Sequence, residues 1–124
     1  MEWVVKGALA RSSRPGYPDH AVSKDTVEEE VGFWRKAGIR SIICLLDDRQ
    51  LAYYADIADG LIGYYKEAGF HVAHIPVQDY KSPPLSKNAL QRIAKAYDDL
   101  PKPVLIHCSA GIDRTGMAVE TLVE

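Results

Sequence analysis

The chain has 124 residues, 47% of them hydrophobic and 26% charged, with a formal net charge of -2. That is the balance of one ordinary globular domain with a modest core, and it leaves no electrostatic footprint for bulk nucleic-acid binding. Two cysteines in apolar runs make no disulfide framework, no apolar stretch nears the ~20 residues that span a bilayer, and Met1 to Val5 lacks a signal-peptide pattern. A cytoplasmic protein with one domain over residues 1–124 and no membrane partner is therefore expected.

Trp3 to Leu9 reads as a short strand or hairpin interrupted at Gly7, followed by a Ser-, Pro- and Gly-rich loop over Ser12 to Asp19. Overlapping the start of that loop, Arg11-Ser12-Ser13-Arg14-Pro15 is a small basic cluster with the character of a solvated turn. Thr26 with Glu29 has capping-box spacing and opens a helix with Val27, Val31 and Trp34 on its apolar face. Gly38 ends it, and Ile39 to Leu46 reads as a buried strand holding Cys44. Asp47 and Asp48 follow, as caps for the next helix.

Leu51, Tyr54, Ala55, Ala58, Ile62 and Tyr65 recur at helical spacing, with Gly60 and Gly63 as weak points and Gly69 as the stop. Phe70 to Val77 is the next strand. His71 and His74 point to opposite faces of it and make a poor metal pair, so no metal or other cofactor is expected. After a loop over Gln78 to Pro84, Ser86 caps a helix bearing Leu90, Ile93, Ala94 and Tyr97 on one face. Pro101 and Pro103 punctuate its end, Val104 to His107 is a strand, and a last helix starts near Thr115. Alternation of helices with short apolar strands predicts an α/β fold with a largely parallel central sheet. Ligands of such sheets bind beyond the carboxyl ends of the strands.

That edge is where Val104-Leu105-Ile106-His107-Cys108-Ser109-Ala110-Gly111-Ile112-Asp113-Arg114-Thr115-Gly116 delivers its chemistry. A free thiol has a pKa of about 8.5, so a nucleophilic cysteine needs help to ionise. The loop from Ser109 through Ala110, Gly111, Ile112 and Asp113 to Arg114 turns straight into a helix. Its backbone N–H groups can form an anion nest, the helix N-terminus adds partial positive charge, and Arg114 adds a full one. The same groups suit a phosphate dianion, which Arg114 can grip with two parallel bonds. Gly111 and Gly116 permit tight turns. Thr115 is placed to donate to the cysteine sulfur. His107 is expected to bond backbone and shape the loop rather than act as a base.

This run resembles the signature of the cysteine-dependent protein tyrosine phosphatase superfamily: His, Cys, five residues, Arg, then Ser or Thr. The chain as a whole is similar to the small dual-specificity-like members. The resemblance implies a mixed sheet of about five strands flanked by helices, Cys108 as nucleophile, and Ser109 through Arg114 as the phosphate-binding loop. It also implies a general acid supplied by an Asp on a mobile loop, which maps to Asp79 in Ile75-Pro76-Val77-Gln78-Asp79-Tyr80. Asp113 is the rival acid, or a group orienting Arg114 or the attacking water. It looks like the loops of some lipid phosphatases, whereas the absence of Lys or Arg at Ser109 and Ile112 argues against a highly phosphorylated headgroup.

The expected activity is phosphomonoester hydrolysis through a phosphocysteine, on a phosphorylated protein or a small phosphomonoester. The alternatives are an inositide phosphatase and a phosphate-binding pseudophosphatase. Family members usually continue past the arginine through further helices, while this sequence stops at Glu124. Either a truncated chain or cover supplied by another chain is therefore expected, with self-association through the apolar Met117, Ala118, Val119, Leu122 and Val123 or else marginal stability. Cys44, near a strand end, is a candidate disulfide partner for an oxidised Cys108.

Overall fold

The structure, a computed structural model, describes residues 1–123. Strands β1 (Glu2–Val5), β2 (Leu9–Ser12), β3 (Ser41–Cys44), β4 (His71–His74) and β5 (Val104–His107) form one sheet in the order β1-β2-β5-β3-β4. β1 runs antiparallel to β2, and the other neighbours are parallel. The expected α/β class and largely parallel sheet are thus present. The N-terminal segment does more than form a hairpin, since β2 extends through Ser12 and pairs with β5.

Register explains why chemistry collects at one edge. Ser12, His107, Cys44 and His74 are the last residues of the four parallel strands, and they align as one row across the sheet. Whatever follows each of them emerges on the same side.

Side chains alternate between the faces of β5, so its two sides feed two cores. Leu105 joins Ala10 and Ile42 against Val27, Val31 and Trp34 of α1 (Lys24–Lys36) and Leu61 and Tyr65 of α3 (Gly60–Glu67). Val104 and Ile106 join Leu9 and Ile43 against Ala89 and Ile93 of α4 (Lys87–Asp99) and Ala118 and Val119 of α5 (Asp113–Leu122). Met117 and Leu122 pack against this second core, while Val123 is half exposed.

Two local readings are corrected. The first helix is capped by Ser23, whose Oγ accepts from Thr26 N at 3.2 Å, so Thr26 is the receiver of the cap rather than its start. The long helix expected between Leu51 and Tyr65 is instead three pieces: α2 (Asp48–Leu51), a 3-10 turn (Ala52–Tyr54) and α3. Gly60 takes a left-handed φ of 72°, which the continuous helix cannot contain. Tyr54, the last residue of the 3-10 turn, is buried. Ser86 caps α4 as expected, its Oγ accepting from Ala89 N at 3.1 Å. No helix among the described residues is long and apolar enough to cross a membrane.

Candidate active site

Cys108 follows the last residue of β5 and is 2% exposed. Its sulfur accepts a hydrogen bond from Gly111 N at 3.3 Å. Gly111 has φ 77° and is followed by Ile112 in a right-handed conformation, an alternation that turns backbone N–H groups inward. The N–H groups of Ser109, Ala110, Ile112, Asp113 and Arg114 reach no backbone carbonyl among the described residues. They include the first turn of α5, where no preceding turn supplies acceptors.

Gly111 is required twice over. A Cβ there would stand 2.6 Å from Ser12 O and 2.8 Å from Ser13 N, both backbone atoms, in addition to the strained φ. Gly111→Ala is therefore expected to lower unfolding free energy by more than about 1–3 kcal/mol and to distort the loop. Denaturant unfolding checks this, and wild-type stability would show that the loop yields. Gly116, by contrast, is an ordinary helical residue, with a Cβ contact to Arg11 Nη2 at 3.6 Å.

Arg114 is 1% exposed. Its Nη1 donates to Leu45 O at 3.1 Å, Gln50 Oε1 at 3.1 Å and Val77 O at 2.6 Å, tying down the segments after β3 and β4. Nε and Nη2, the other edge of the guanidinium, are buried without a hydrogen-bond partner among the described residues. Asp79 Oδ2 lies 3.5 Å from Nη2, within ion-pair range but outside hydrogen-bond geometry. Gln50 Nε2 donates to that same oxygen at 3.3 Å.

Gln50 is thus a clasp between Arg114 and Asp79, and sequence reading missed it. Its own position comes from a capping box. Asp47 Oδ1 accepts from Gln50 N at 2.9 Å, and Gln50 Oε1 accepts from Asp47 N at 3.4 Å.

His107 is fully buried. Nδ1 donates to Cys108 O at 3.1 Å, which leaves Nε2 to accept from Tyr65 O–H at 2.8 Å. Burial drives its pKa from 6.5 down to about 4, against the opposing pull of the Cys108 carbonyl bond. The ring is a neutral shaping group, as expected.

Folded His107 therefore takes up its proton near pH 4, and an unfolded chain's near 6.5. The unfolded state binds more protons between those values. The stabilisation is complete above pH 6.5 and is lost as pH falls toward 4, by about 3 kcal/mol in all. Denaturation midpoints between pH 7 and about 5, above most carboxylates, should fall in the wild type and fall less in His107→Asn. Equal slopes in the two would remove His107 as the cause.

Thr115 departs from expectation. Its Oγ1 is buried without a hydrogen-bond partner, and Cys108 Sγ takes its bond from Gly111 N instead. Asp113 is exposed and forms no ion pair with Arg114 among the described residues, so the carboxylate beside the arginine is Asp79. Cys44 lies with the core on the α1 side and Cys108 with the core on the α5 side. Both are free thiols, and burial pushes the Cys44 thiol up to about 12. That separation and inertness do not favour a bridge.

The basic segment after β2 turns out to be a wall of the site. Arg11 Nη2 donates to Gly111 O at 2.6 Å. Arg14 N donates to Ser109 O at 2.8 Å, and Arg14 Nε to Ser109 Oγ at 3.1 Å. Above this loop opens a cleft of 690 Å³, lined by Arg14, Ser109, Gln50, Asp79, Tyr53 and Tyr80 among others. Ser109 is the phosphate-loop residue that lines it; Cys108 and Arg114 are buried and reach it through their neighbours Ser109, Gln50 and Asp79.

The family described as polymorphic toxin system, DSP-PTPase phosphatase matches residues 19–123. No curated protein matches the chain.

Proposed function

The chain belongs to the DSP-PTPase phosphatase family of polymorphic toxin systems, and we propose that it hydrolyses phosphomonoesters through a phosphocysteine on Cys108. The observation that carries this reading is the free edge of Arg114. A buried donor pair without acceptors is costly, and its retention calls for a ligand. Parallel N–H groups on one edge of a guanidinium match two oxygens of a phosphoryl group.

In the first step the Cys108 thiolate attacks phosphorus and forms the S–P bond as the ester P–O bond breaks. The Gly111 N–H donates to the attacking sulfur at 3.3 Å, beside the start of α5. Loop N–H groups and Arg114 stabilise charge on the equatorial oxygens. A phosphoryl oxygen arriving at Nη2 takes the place now held by Asp79. The displaced carboxylate takes a proton from solvent and, as the acid, passes it to the leaving oxygen as the P–O bond breaks. In the second step water attacks phosphorus, the S–P bond breaks, the thiolate is restored, and Asp79 accepts the water's proton. The scheme needs only these side chains, on a phosphotyrosine, phosphoserine or phosphothreonine of a protein or on a small phosphomonoester. The family description supports a role for this activity within a toxin system.

Turnover of an aryl phosphate in the presence of a chelator tests the reading, and phosphate release that disappears with chelator would contradict it. Asp79→Asn is expected to slow esters of basic leaving groups by about 10²–10⁴-fold and good leaving groups far less. Aryl phosphates of graded leaving-group pKa measure the difference. A uniform loss across the series, or a larger effect from Asp113→Asn, would move the acid elsewhere.

A further inference from the structure

We propose that Arg14 gives the cleft a second anion subsite, so that the preferred substrates are phosphomonoesters carrying a second phosphate on the same molecule. This rests on the phosphatase reading above and adds a substrate class to it. Arg14 is 1% exposed, yet it lines the cleft. A charge so buried ordinarily has a carboxylate partner. Arg14 has none among the described residues. The groups it bonds or stacks on are neutral: Ser109 Oγ, the Tyr54 hydroxyl at 3.4 Å, and the rings of Tyr53 and Tyr17 at 4.8 and 5.6 Å; the nearby carboxylate of Glu30 accepts from Gly16 N at 2.6 Å and makes no ion pair with Arg14. The Tyr54 hydroxyl donates to Pro15 O at 2.6 Å, and burial pushes its pKa up to about 12, so it supplies no negative charge.

The other charged groups of the cleft do not neutralise Arg14. Asp79 faces Arg114, and Asp47 is engaged as the cap of α2. Asp48 and Arg49 are exposed, opposite in sign and adjacent on the rim. His20 stacks on Tyr53 at 4.4 Å. The phosphate loop itself has no cation at Ser109 or Ile112. Arg14 supplies one from the loop after β2, docked on the Ser109 side chain. Because Ser109 Oγ accepts from Arg14, its own proton is available to an anion in the cleft.

The test measures kcat/KM for glycerate, ribose and fructose bisphosphates, each against its matching monophosphate. At least one bisphosphate should exceed its monophosphate by about tenfold in the wild type. Arg14→Gln should bring that ratio near unity, and Arg14→Lys should retain part of it, since charge is kept and the planar fork is lost. No bisphosphate preference in the wild type overturns the proposal, and that arm requires no variant to fold. A ratio that persists in Arg14→Gln, with both rates lowered alike, shows a brace for the loop and overturns it too. Calorimetric binding of the same compounds to Cys108→Ser separates the two levels of the argument. Tighter bisphosphate binding without any wild-type turnover would remove the enzymatic reading and leave the subsite. Monophosphate turnover without bisphosphate preference would do the reverse.

Discussion

Cys108→Ser is expected to reduce turnover by about 10⁴–10⁶-fold while vanadate and phosphate still bind. The hydroxyl is a far weaker nucleophile than a thiolate, yet nothing that holds the anion is removed. Arg114 remains fixed by Leu45 O, Gln50 and Val77 O, and the loop keeps its left-handed turn at Gly111. Serine is close to cysteine in volume, and the side chain sits in a tight site at 2% exposure. Stability should therefore change by less than about 1.5 kcal/mol. Turnover, anion titration and thermal melting on one preparation separate these effects. Retained turnover would exclude the covalent route, and loss of anion binding together with turnover would point to collapse of the loop.

Arg114→Lys should be nearly as damaging, and in a different way. An ammonium keeps the charge but cannot present two parallel N–H groups while a third nitrogen anchors the residue. The loss of transition-state charge stabilisation is expected to cost about 10³-fold or more in kcat, with vanadate inhibition weakened alongside. A structural cost comes with it. Nη1 serves three acceptors, two of them backbone carbonyls after β3 and β4. Val77 O would lose its donor, whereas Leu45 O keeps Val77 N and Gln50 Oε1 keeps Asp47 N, so unfolding free energy should fall by about 1–3 kcal/mol. Unchanged vanadate affinity in a folded Arg114→Lys protein would contradict the assignment of its free edge to an oxyanion.

The sequence made the centre of the site readable because that centre is local. Cys108, the five loop residues and Arg114 are contiguous, and a buried strand before them and a helix after them fix their surroundings. Asp79 was reachable from its position after a strand and from family resemblance. What stayed hidden depends on contacts between distant segments. Gln50 clasps Arg114 and Asp79 across 64 and 29 positions of sequence, and Arg14 reaches Ser109 across 95. A capping residue and a basic turn carry no sign of such partners. The row of strand ends formed by Ser12, His107, Cys44 and His74 brings them together, and register is invisible in the chain alone.

The remaining differences are local but turn on competition between similar options. Ser23 and Thr26 both can cap, and only the observed bond shows that Ser23 does. The apolar spacing of Leu51 to Tyr65 suits one helix, but the left-handed Gly60 divides it and lets Tyr54 reach Pro15 and Arg14. At Thr115 the residue type suggested a bond to sulfur. The Thr115 hydroxyl is instead buried without a partner, and Gly111 supplies that bond from the backbone.

The central claim is that phosphate passes through Cys108. Its most direct test is rapid acid quench of the protein during turnover of an aryl phosphate, followed by peptide mass spectrometry. The account predicts a phosphoryl group on the peptide containing Cys108, present during turnover, gone after substrate is exhausted, and enriched when Asp79→Asn slows the hydrolytic step. Turnover at the normal rate with Cys108 unmodified at every quench time would contradict it.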